Sequence, residues 1–125
     1  MRDFFNGTGL QQENLRHRNP INPASLHPDE MATLALKDGD EIEIESDNGA
    51  VKAVVQSDAS LRPGIVSLPH AWGGLPEDAE DWRNAGTAVN ALISDHRNVE
   101  AVNAMPRLSA IPVRIRRLRH VAAAL

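Results

Sequence analysis

Five residues near the middle of the chain limit its fold more than any others: Glu41, Ile42, Glu43, Ile44 and Glu45 alternate without a break. Successive side chains of a strand point to opposite faces, so Ile42 and Ile44 share one face and the three glutamates the other. The pattern predicts a strand with one buried face. Asp47-Asn48-Gly49 follows. Asn and Gly accept positive φ, and the turn they favour twists as the flanking strands do, so a tight hairpin is expected. Ala50 to Val55 is then the return strand. Val51 and Val55 should lie with Ile42 and Ile44, and the Asp47–Gly49 turn should face solvent. Ahead of the hairpin, Gly39 can take a backbone conformation closed to other residues. Asp40 can accept hydrogen bonds from nearby amides as the chain enters the strand.

The flanking segments supply short elements and long connections. Asn19-Pro20-Ile21-Asn22-Pro23 reads as extended, because each Pro restricts its predecessor. His27-Pro28-Asp29-Glu30 opens a short helix, with Pro in the first turn and two acids at the positive end. Met31, Leu34 and Ala35 fall on one helical face as core residues, and the helix should end near Leu36 to Lys37. Ser57 to Ser60 is a polar break, and Arg62-Pro63-Gly64 reads as a turn. Ile65 to Leu68 is expected to be a strand. Residues 70–86 form a long irregular loop, a length more often functional than idle in a compact domain. Thr87 to Ser94 suits either a short helix or a buried extended segment. Ile111 to Ile115 alternates again, with Pro112 placing it at a strand start or an edge. Four short strands, one small helix and long loops point to a mainly β fold. A small barrel is the natural closure, since it leaves no free edge.

Composition narrows the function classes. The chain has 125 residues, and a single domain of that size buries roughly two-thirds of its unfolded surface. Aromatics are restricted to Phe4, Phe5, Trp72 and Trp82, so the core must come from Val, Ile, Leu and Ala. The absence of cysteine excludes disulfides and thiolate metal sites and agrees with a reducing compartment, so a cytoplasmic location is expected. No segment reads as a membrane span or a signal peptide. The net charge is −4, unevenly placed: 29–47 carries eight acids against Lys37, and five arginines with no acid follow from Arg107 onward. An acidic chain argues against general nucleic-acid binding. The basic end suits either a phosphate contact or a solvated tail, and the tail is the favoured reading for Arg116 to Arg119.

No nucleophile with an assigned base is visible, and no Gly-x-Ser-x-Gly occurs. The five histidines share no His-x-x-x-His spacing, so no zinc site is expected. The acids of 77–81 read as a solvated loop. Asn6-Gly7-Thr8-Gly9 is a glycine-bearing turn able to present amides to an anion, without P-loop spacing. The best binding candidate is Pro69-His70-Ala71-Trp72-Gly73-Gly74 together with Asn90. Its glycines allow close backbone approach to a flat ligand, and His70 and Asn90 both donate and accept. Trp72 suits a ligand face or a core position equally.

An ordered set of these segments resembles a known family. It comprises Asn22-Pro23-Ala24 with His27-Pro28-Asp29, Leu36-Lys-Asp-Gly-Asp40, Glu45-Ser-Asp-Asn-Gly49, Arg62-Pro-Gly-Ile-Val66, His70-Ala-Trp-Gly73, Asn90-Ala-Leu92 and Pro106 with Val113-Arg-Ile115. Over about residues 6–116 the succession is similar to the C-terminal molybdopterin dinucleotide-binding domain of molybdenum and tungsten oxidoreductases, the dimethyl-sulfoxide-reductase and formate-dehydrogenase group. The resemblance implies a double-psi β-barrel with short helices and long loops. It implies a domain that helps hold molybdopterin guanine dinucleotide, with the metal held by other domains of the same enzyme and electron-transfer subunits as further partners. Three places carry over as cofactor contacts: Asn6, Gly7, Thr8 and Gly9; His70, Trp72 and Gly73; and Asn90. Two departures stand out. The family's first strand is missing or reduced to Met1-Arg2-Asp3, which suggests a C-terminal fragment of a larger chain or a separately encoded piece. Ser109 stands where many members carry Lys. The alternative is a free-standing double-psi barrel acting as a protein-binding adaptor.

Overall fold

The computed structural model describes residues 21–73, 80–94, 96–97 and 99–118. The Asn6–Gly9 segment and Gly74 lie outside them. The fold is mainly β. Its elements are β1 (Ala24–Leu26), helix α1 (Pro28–Thr33), β2 (Glu41–Glu45), β3 (Ala50–Ser57), helix α2 (Trp82–Ala85), a 3-10 turn (Val89–Leu92) and β4 (Arg114–Arg117). The strands form one mixed sheet in the order β1-β3-β2-β4, with β1 parallel to β3 and the other pairs antiparallel. Among the described residues this sheet is open, with β1 and β4 at its edges. No helix among them is long and apolar enough to cross a membrane.

The hairpin forms as its alternation dictates. Ile42 faces Ala53 and Ile44 faces Val51 across β2 and β3. Ile42, Ile44, Ala53 and Val55 are buried, Val51 is partly buried, and Ile115 joins from β4 opposite Ile44. Each aliphatic side chain fully buried here contributes about 1.5–3 kcal/mol. Asp47 and Asn48 are exposed, whereas Gly49 is half-buried. Gly39 has φ +89°, and Asp40 Oδ2 accepts from Lys37 N at 2.9 Å, as the sequence anticipates. β3 runs on to Ser57, whose N–H donates to Asp38 Oδ1 at 2.7 Å.

Four expectations are corrected. Helix α1 ends at Thr33, and Leu34, the residue after it, is exposed rather than in the core. Ala35 turns left-handed at φ +55°, Ala35 N donates to Ala32 O at 3.2 Å, and Leu36 N donates to Met31 O at 2.8 Å. That bond pattern is a Schellman stop, which also brings Leu36 next to Met31 in the core. The segment 65–68 forms no strand but one antiparallel bridge, Ser25 with Ser67. The segment 111–115 begins its pairing only at Arg114, because Pro112 has no N–H to give a ladder. Arg116 and Arg117 are strand residues and not a solvated tail: Arg116 pairs with Glu43 and Arg117 Nη2 lies 3.7 Å from Asp40.

Candidate functional site

Asn22 is the hub of the region that the sequence marks for binding. It is only 1% exposed. Its Nδ2 donates to Pro69 O at 2.6 Å and Thr87 O at 2.9 Å, and its Oδ1 accepts from Thr87 N at 2.7 Å. A single amide thus ties the residue before His70 to the residue three before Asn90. Thr87 Oγ1 in turn donates to Lys52 O at 2.8 Å, which fixes the clamp to β3. Gly73 N donates to Ala85 O at 3.2 Å, so the 69–73 loop and the 85–90 segment run side by side.

The glycines of this region serve that apposition. A Cβ on Gly73 would lie 2.9 Å from Gly86 O, and a Cβ on Gly86 would lie 2.7 Å from Trp72 Cβ and 2.8 Å from Asn22 Oδ1. Gly86 also has φ +91°, a conformation costly for any other residue. The close approach that Gly73 permits is therefore between two stretches of this chain. Trp72 is buried at 5% exposure with its edge on Gly86, so the structure takes the packing side of the two readings. His70 is exposed at the surface of the loop. Asn90 is exposed in the 3-10 turn, and its side-chain amide has no hydrogen bond among the described residues.

The 3-10 turn is fastened to the hairpin as well. Asn48 Nδ2 donates to Ala91 O at 3.3 Å and Ile93 O at 2.8 Å, and Ser46 Oγ donates to Leu92 O at 2.8 Å. A Cβ on Gly49 would lie 2.6 Å from Ala91 O. The Glu45–Gly49 stretch, legible as a turn, thus also positions Asn90. On the other side, α2 carries Arg83, whose guanidinium forks onto Glu41 with Nη2 2.7 Å from Oε2 and stacks 4.6 Å from the Trp82 ring centroid. Glu41 holds the Arg83 pKa above its ordinary value. Sequence reasoning missed Asn22 and Thr87 as builders of this site. Asn22 stood in the segment that carries the family resemblance, but nothing local distinguishes a buried amide from a loop amide. Among the described residues no group of His, Asp or Glu is arranged to hold a metal ion.

Comparison with known proteins gives a name to this class of site. The fold is similar to part of acetylene hydratase from Pelobacter acetylenicus, with a TM-score of 0.73 at 24% identity over 93% of this chain. The chain spans 17% of the length of that protein. A search of the curated proteins finds no match. The family model described as "Molydopterin dinucleotide binding domain" matches residues 2–111, and the chain belongs to that family. It is a molybdopterin dinucleotide-binding domain.

The exposed groups suit such a cofactor. A pterin is flat with a polar rim, and His70 and Asn90 each offer a donor and an acceptor toward solvent. The buried groups of the clamp are satisfied by the chain itself, so the surface beside it needs no ligand to hold its shape.

Proposed function

We propose that the chain is the closing domain of a molybdopterin guanine dinucleotide-dependent oxidoreductase, with His70 and Asn90 hydrogen-bonding the pterin rim. The observation that carries this reading is the Asn22 amide, which joins Pro69 to Thr87 and so sets the two exposed polar residues on adjoining segments. Gly73 and Trp72 act as positioning residues: one lets the segments touch, the other packs beneath them. Asn6 to Gly9 would supply backbone amides beside them. The cofactor, when bound, supplies the metal-centred electron chemistry. The chain's own residues orient it and set the polarity at its rim.

The same proposal includes the finer architecture: a double-psi barrel that lacks its first strand, with residues 1–125 as one domain of a larger cytoplasmic enzyme with electron-transfer subunits. The family match over residues 2–111 and the 17% span support it. The net reaction is a separate matter, since one fold hosts different chemistries and the similar protein is by its name a hydratase.

The test is Asn90→Ala in the whole enzyme. Losing one hydrogen bond to a neutral group removes about 0.5–1.5 kcal/mol of binding. Metal and pterin content per protein should fall while the melting temperature stays that of the parent, because the Asn90 amide bonds nothing among the described residues. Full cofactor content with a lowered melting temperature would defeat the reading.

A further inference from the structure

A second recess adjoins the 3-10 turn at Leu92. It is a cavity of about 360 Å³ where the β2–β3 turn meets residues 92–97 and 107–112. His70, Trp72, Gly73 and Asn90 do not line it. One wall is locked in place: Ser46 Oγ holds Leu92 O and Asn48 Nδ2 holds Ile93 O, each at 2.8 Å. Ile111 and Pro112 form the facing apolar wall.

Arg97 and Arg107 both line this recess, with His96 and Asp47 beside its apolar walls. Ser94 Oγ accepts from His96 N at 3.1 Å and Arg97 N at 2.9 Å, a local turn that brings Arg97 to the cavity. Arg107 lines it from the irregular 107–112 segment. Three other arginines are committed to acids: Arg83 to Glu41, Arg116 to Glu43 and Arg117 to Asp40. Arg97 and Arg107 have no ion pair among the described residues, although Asp47 also lines the recess. Asp47 is outnumbered, so the local charge favours an anion.

We propose that this cavity is a second binding site, for a small organic anion with a flat apolar body and a carboxylate or phosphate head. The body lies between Leu92–Ile93 and Ile111–Pro112, and the head is shared by Arg97 and Arg107. The fixed fork of a guanidinium matches either oxyanion in a bidentate contact. The volume is at the lower end for ligand pockets and admits a single-ring compound with its head group.

The full chain is titrated calorimetrically with benzoate, phenyl phosphate, benzyl alcohol and inorganic phosphate, with methyl NMR spectra at each point. Saturable binding of benzoate or phenyl phosphate is expected, with shifts at Ile93 and Ile111; whichever binds more tightly identifies the head group. Benzyl alcohol should bind at least about tenfold more weakly, the loss of a charge-assisted contact. Arg97→Gln and Arg107→Gln should each weaken binding about tenfold and leave the melting temperature unchanged, since both side chains are exposed. Binding of benzyl alcohol equal to that of the anions overturns the proposal. So does inorganic phosphate binding as tightly as phenyl phosphate, or methyl shifts that centre on Ala71 and Ala91, beside His70 and Asn90. Loss of benzoate and phenyl phosphate binding in the cofactor-loaded enzyme would make the cavity part of the cofactor site, and likewise overturn it.

Discussion

At the scale of single residues, Asn22 matters because it serves three backbone groups at once and is itself shielded from water. An amide can do this where neither Asp nor Leu can: two of its contacts need a donor and one needs an acceptor. Asn22→Ala should leave the Pro69 and Thr87 groups without partners, at about 1–3 kcal/mol for each that stays buried. Asn22→Asp should be worse than Asn22→Ala, because a carboxylate would then face two carbonyl oxygens. Urea unfolding of the three proteins orders them, and an Asn22→Ala midpoint equal to that of the parent would remove Asn22 from its place as hub. The residue was legible only as part of a proline-flanked extended run. Its partners lie 47 and 65 positions away, and no local pattern points to them.

At the scale of elements, legibility tracked how local the cause was. The β2–β3 hairpin was readable because alternation and the turn residues lie within one short stretch, although neither Asn48 nor Gly49 takes the positive φ expected of them, and Gly49 instead makes room for Ala91 O. β1 was not: it has three residues, all buried, and pairs in parallel with the end of β3, so it shows no alternation. The 65–68 segment reads as a strand, yet His27 caps α1 immediately after Leu26 and leaves β1 room for only one bridge to Ser67. Leu34 fits the helical period but follows the last helical residue, and a period has meaning only while the helix continues. The candidate site was partly legible in the same sense. His70 and Asn90 were singled out from their chemistry and are exposed, whereas the burial of Trp72 depended on Gly86, fourteen positions on. The stop of α1 offers a direct check. Ala35 is exposed and left-handed, which costs an L residue roughly 1–2 kcal/mol, against about 0.5–1 kcal/mol of extra chain entropy for Gly. Ala35→Gly should therefore raise unfolding stability by about 0.5–1 kcal/mol in a denaturant titration. A loss of stability would mean that the Schellman stop does not set this helix end.

At the scale of the whole molecule, the acidic middle and the basic end of the sequence turn out to be one feature. The fold lays β4 beside β2, so that Glu43 has Lys52 directly across on one side and Arg116 on the other, and Arg114 stands opposite Glu45. The charge asymmetry along the chain becomes charge pairing across the sheet, and it holds the last strand in register. The face is only partly shielded: the Glu43 side chain is 18% exposed and that of Arg116 is 68% exposed. A modest contribution of about 0.2–1 kcal/mol is appropriate for such a pair. Arg116→Ala should lose that much. Arg116→Glu should lose more, because two carboxylates then oppose each other across neighbouring strands. The difference between the two variants is mainly electrostatic, so salt should control most of it. It should be present at low ionic strength and shrink toward zero at 1 M salt, where charges are screened beyond about 3 Å. Denaturant unfolding of both variants at the two salt concentrations measures this. A gap that persists unchanged at 1 M would show that β4 is held by the packing of Ile115 on Ile44, with the charges along its outer face contributing nothing to its register.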